Sequence, residues 1–97
     1  MRTEKDLQNY IMKECKKHNI LCHKMESRTS RGWPDLLLIY KGRVVFVEVK
    51  SPAGTGRLSE LQLSTMNDIF DHGGDALIVD SEHGASMLVE RVLYAEH

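Results

Sequence analysis

The sequence predicts an α/β domain, a mixed β-sheet flanked by helices in the order α-β-β-β-α-β-α. Three observations predict it. Residues 34–50 hold two strand-like runs, PDLLLIY and RVVFVEVK, separated by Lys41-Gly42, a two-residue hairpin signal. Residues 3–18 and 58–74 carry apolar side chains at helical spacing. A short apolar run at 75–80 follows the second of these helices, and a β-α-β link favours a parallel neighbour in the same sheet.

Each element has local support. The helix over 3–18 can be capped by Thr3, with Glu4 and Asp6 in the first turn, where the macrodipole favours acids. Leu7, Tyr10, Ile11, Met12 and Cys15 form its apolar stripe, and Lys13, Lys16, Lys17 and His18 suit its C-terminal end. Residues 19–26 read as a first strand and 27–33 as a polar loop. Strands over 34–40 and 43–50 form the hairpin, which stops at Pro52. SPAGTGR, 51–57, is a Gly/Pro/Ser loop expected to face a partner. The helix over 58–74 closes at Gly73-Gly74, with Leu63, Met66, Ile69 and Phe70 expected in the core. A buried strand over 75–80 and a final helix over 81–97 complete the chain; Gly84 and the β-branched residues are the features that oppose that helix.

The 97 residues are expected to form one domain with a modest core, a size at which association of two copies adds useful burial. No apolar run approaches the ~18 residues of a membrane span, and no secretory signal is visible, so a cytoplasmic protein is expected. Cys15 and Cys22 lack metal-site spacing and read as reduced thiols; the five histidines show no metal spacing either. The net charge of −1 conceals an asymmetry. Residues 13–57 contain ten Lys/Arg against four Asp/Glu. Such a basic block suggests contact with a polyanion, although a solvated charged face has the same signature.

Counting outward from Lys41-Gly42 places Tyr40 opposite Arg43, Leu37 opposite Phe46 and Asp35 opposite Glu48. Lys50, two residues beyond Glu48, points to the same face. Like charges opposite one another destabilise a sheet. A divalent cation would remove that penalty, and two carboxylates with waters and substrate phosphate is a usual way to hold Mg²⁺. The alternative is a solvent-facing strand end with a Glu48–Lys50 surface pair. Against it, VVFVEVK is apolar on both faces, as interior strands are, and buried acids need partners.

Pro34-Asp35 followed by Glu48-Val49-Lys50 resembles the PD-(D/E)xK nuclease superfamily. The Gly32-Trp33-Pro34-Asp35 run, the E-x-K strand and the helix start with Leu58, Ser59 and Gln62 resemble its VRR-NUC family more closely, as does Glu4 at the start of the first helix. The likeness extends from Glu4 to about Asp80, with Ser-Glu-Leu standing where the family more often has Ser-Pro-Glu. It implies a restriction-endonuclease-like fold and metal-dependent hydrolysis of DNA phosphodiesters. Asp35 and Glu48 would hold Mg²⁺ or Mn²⁺ with the Val49 carbonyl, and Glu4 would reach the site directly or through water. Lys50 would position or activate the attacking water, with Gln62 supporting it. Small stand-alone members resemble four-way-junction resolvases, which implies branched DNA as substrate and a homodimer, with no organic cofactor and no membrane partner. Flap, nicking or unselective cleavage, or a non-catalytic nucleic-acid-binding module, are the alternatives.

Several of these residues admit plainer roles. Glu4 also suits a first-turn acid, and Gln62 also completes a capping box with Ser59. Lys24, Arg28, Arg31 and Arg57 are candidates for DNA phosphate contacts, or are simply solvated. Trp33 reads first as a core or dimer-interface residue and second as a surface that stacks on a base.

Overall fold

The computed structural model describes residues 3–26, 28–29, 31–54 and 56–95. Ser27, Ser30 and Thr55 of the predicted loops, and residues 96–97 of the predicted last helix, lie outside them. The elements are α1 (Glu4–Lys17), β1 (Leu21–Lys24), β2 (Leu36–Tyr40), β3 (Arg43–Val49), α2 (Glu60–Asp71), β4 (Ala76–Val79) and α3 (Glu82–Tyr94). Their order is the predicted one. The sheet runs β1-β2-β3-β4, antiparallel except for the parallel β3–β4 pair, so the hairpin is central.

The hairpin register follows from its turn. Lys41 and Gly42 both adopt positive φ, 49° and 80°, the conformation that a tight two-residue turn requires. Tyr40 then pairs with Arg43 and Leu37 with Phe46, as counted from the sequence. Strand alternation sends Leu36, Leu38, Val45, Val47 and Val49 to one face, where α1 and α3 cover them. Leu7, Ile11 and Cys15 of α1 and Ala85, Leu88, Val89 and Val92 of α3 complete this core. Each fully buried Leu, Ile or Val there contributes about 1.5–3 kcal/mol.

The opposite face is covered only in part. Met66 and Ile69 of α2 pack on Ala76, with Phe46 and Leu58 alongside. Two expected core residues are corrected here: Leu63 and Phe70 are about half exposed, because α2 meets the sheet along a narrow line. Leu21, Val44 and Ile78 are also exposed.

Element ends differ from expectation for local reasons. β1 begins after residue 20 because Asn19, at φ 58°, closes α1 and the Ile20 amide returns to the Cys15 carbonyl at 2.8 Å. β2 begins at Leu36, since Pro34 has no N–H to offer a neighbour and Asp35 meets the Val49 amide with its carboxylate. Helix α3 forms despite Gly84, whose amide donates to the Ser81 hydroxyl at 2.9 Å and so completes the N-cap. Cys15 and Cys22, unrelated in sequence, meet between α1 and β1. A hydrogen bond between them raises the Cys15 thiol pKa and lowers that of Cys22. Among the described residues no helix is long and apolar enough to cross a membrane.

Candidate active site

The open ends of β2 and β3 carry the acidic pair. The backbone ladder between them stops at Leu36–Val47, and the next contact is made by a side chain. Asp35 Oδ2 accepts the Val49 amide at 2.8 Å, while the Asp35 carbonyl accepts the Met25 amide at 2.8 Å. Asp35 thus ties together the β1 side, its own strand and β3, which fixes its carboxylate beside Glu48.

Glu48 is 2% exposed, and among the described residues its Oε2 has no hydrogen-bond partner. Burial first, then the hydrogen bond and charge of Asp35, push its pKa up to about 8; Lys50 opposes the rise and Glu4 adds to it. A buried carboxylate with an orphaned oxygen beside a second acid needs a proton or a cation. That is the property a metal-binding acid pair requires, so the residues fit a divalent ion. Among the described residues no three His, Cys, Asp or Glu side chains form a cluster suited to enclosing an ion. Glu4 lines the cleft that Asp35 opens onto and raises the Glu48 pKa through its charge.

Lys50 lies on the same side as Glu48. Its Nζ is 3.9 Å from Glu48 Oε2 and donates to Gln62 Oε1 at 3.1 Å. The Gln62 oxygen also accepts the Ser59 amide at 2.9 Å, and the Gln62 amide donates to Ser59 Oγ at 3.1 Å. Gln62 makes both contacts together: it closes the capping box of α2 and accepts from Lys50. Gly56 leaves room for the lysine stem, since a Cβ there would stand 3.2 Å from Lys50 Cδ.

Two clefts meet at Asp35. The larger, about 840 Å³, is lined by Glu4, Lys5, Gln8, Lys24, Arg28 and Asp35 among others. The smaller, about 320 Å³, includes Arg31, Trp33, Asp35, Leu61 and Gln62 in its walls. Lys24, Arg28 and Arg31 thus border the acids, whereas Arg57 is exposed before α2 and lines neither cleft. Lys5 and Gln8 were not apparent as site residues in the sequence. Gln8 is nearly buried, four residues after Glu4; that spacing was legible, but Leu7 and Ile11 dominated the stripe.

The sequence of this site matches a known domain type. A family model described as the VRR-NUC domain matches residues 2–83. The chain belongs to the VRR-NUC family. A solved structure titled "VRR_NUC domain" superposes with a TM-score of 0.80 at 27% identity, covering 93% of this chain and 97% of that one. The comparison with curated proteins gave no match. The VRR-NUC domain is thus a nuclease-type fold, a four-stranded mixed sheet with three helices in the predicted order.

Proposed function

We propose that this VRR-NUC domain is a metal-dependent endonuclease that hydrolyses DNA phosphodiesters, selective for branched DNA and acting as a homodimer. The observation that carries this reading is the buried Asp35–Glu48 pair, with Glu48 Oε2 lacking a hydrogen-bond partner among the described residues and the Lys50 ammonium 3.9 Å away. A site that had lost its chemistry would not need to retain an acid pair whose burial costs stability.

Asp35 and Glu48 would hold Mg²⁺ or Mn²⁺ together with the Val49 carbonyl, and Glu4 would reach the ion directly or through water. When bound, such an ion neutralises phosphate charge and lowers the pKa of its water. The remaining work falls to the chain. Lys50, fixed by Gln62, presents a positive point charge to the phosphate and orients the attacking water. Lys24 and Arg28 in one cleft and Arg31 in the other bind flanking phosphates, which positions the strand without reading its sequence. Two-fold symmetry would place one site on each of two strands, as paired nicking of a junction requires. The exposed Leu21 and Val44 on the partly covered sheet face are apolar surface suited to such association.

The test is cleavage of a four-way junction, a flap and a plain duplex in Mg²⁺, by wild type and Asp35→Ala. Junction cleavage lost in the variant is expected. Cleavage that persists in Asp35→Ala would refute the site, and no cleavage of any substrate would favour a binding module.

A further inference from the structure

We propose that Trp33, half-exposed in the cleft beside Asp35, is a stacking platform for an unpaired nucleobase next to the cut phosphate. The inference rests on the nuclease reading and deepens it. The preferred substrate would be nucleic acid whose bases are unstacked at the cut, either single-stranded or opened at a branch point.

Sequence alone favoured a core or dimer-interface indole. The core reading is corrected: Trp33 is 43% exposed and lines the smaller cleft with Arg31, Asp35 and Gln62. Its ring is not loose. It packs against Phe46 with centroids 5.5 Å apart and planes tilted by 55°, which leaves part of the indole bare. The backbone is pinned on both sides as well. Gly32 takes φ +81°, and a Cβ there would stand 2.5 Å from Leu61 Cγ, so this position packs directly against α2. Pro34 is fully buried and restricts Trp33 itself to extended backbone. A rigid aromatic surface of this kind loses little entropy when a ligand stacks on it.

The chemistry of the cleft selects the occupant. Arg31 supplies a cation for a phosphate, Trp33 a π-face, and Asp35 and Gln62 connect the same cavity to the acid pair and to Lys50. A nucleotide combines the anion and the flat ring that these groups complement. In a closed duplex the base faces are occupied by their neighbours, so only an unstacked base can use the platform.

The chain has one tryptophan, so its intrinsic tryptophan fluorescence reports Trp33 alone. The experiment titrates metal-free protein in EDTA with a single-stranded oligonucleotide, a four-way junction and a blunt duplex of equal length. Quenching by the single strand and the junction, little by the duplex, and its loss when abasic nucleotides occupy the branch point, is the expected result. Trp33→Ala should weaken single-strand and junction binding roughly ten-fold or more while leaving duplex binding unchanged, and Trp33→Phe should retain much of it. Equal quenching by duplex, unchanged affinity in Trp33→Ala, or conversion of a dimer to a monomer by Trp33→Phe would overturn the proposal. Should Trp33→Ala fail to fold, the wild-type titration and Trp33→Phe still decide it. Failure of the nuclease reading shows separately, as absence of Mg²⁺-dependent cleavage by wild type, which the titration does not require.

Discussion

Gln62 Oε1 accepts hydrogen bonds from two donors at once, the Ser59 amide at 2.9 Å and the Lys50 ammonium at 3.1 Å. One oxygen therefore couples the start of α2 to the lysine of the E-x-K strand. Gln62→Ala removes both contacts. It should lower stability by about 1 kcal/mol through the lost cap and slow cleavage roughly 10- to 100-fold through the released lysine. Ser59→Ala removes only the cap, so stability should fall similarly while cleavage stays within a few-fold of wild type. Urea unfolding and junction cleavage of the two variants separate the roles.

Glu48 makes stability depend on pH. Its folded pKa of about 8 stands above its ordinary value of 4.5. The protonated form favours the fold, so the contribution is full below pH 4.5 and is lost as pH rises through about 8. Metal-free protein should therefore lose stability across this window, by on the order of 5 kcal/mol at most. Glu48→Gln should show a flatter profile and exceed wild type at pH 8. Urea midpoints in EDTA at several pH values check this; parallel profiles for the two proteins would contradict it.

Gly32 holds the loop that presents Asp35. With φ +81° and Leu61 Cγ 2.5 Å from the position of a Cβ, alanine is opposed by both backbone and space. Gly32→Ala should cost about 1–3 kcal/mol and reduce cleavage as well, read by urea unfolding and junction cleavage.

Asp75 provides the contrasting control. It accepts from Arg43 at 3.3 Å and Arg91 at 3.2 Å, joining β3, the loop before β4 and α3 at the end of the sheet away from the acids. These side chains are partly solvated, so Asp75→Ala should cost about 1 kcal/mol, less at high salt, and leave cleavage unchanged.

The fold and the acid pair were legible because local signals agreed with one another. The Lys41-Gly42 turn fixed the register, and the register placed Asp35 and Glu48 on one face. What escaped the sequence depended on distant packing. Leu63 and Phe70 have core-like spacing, yet α2 meets the sheet only through Met66 and Ile69, which leaves them half exposed. Cys15 and Cys22 meet only because α1 folds back on β1. Gly56 looks like an ordinary loop glycine until the Lys50 stem lies against it. The ladder ends at Leu36 because Asp35 meets the Val49 amide with its carboxylate, a choice that strand periodicity does not encode.

The claim beneath these predictions is that Asp35 and Glu48 together bind a divalent cation. The most direct measurement is a calorimetric Mn²⁺ titration at pH 7 in buffers of different ionisation enthalpy, on wild type and Glu48→Gln. Binding of Mn²⁺ by wild type with release of close to one proton, and a large loss of affinity with no proton release in Glu48→Gln, is the expected result. Equal Mn²⁺ affinity in the two proteins, or wild-type binding with no proton released, would contradict it.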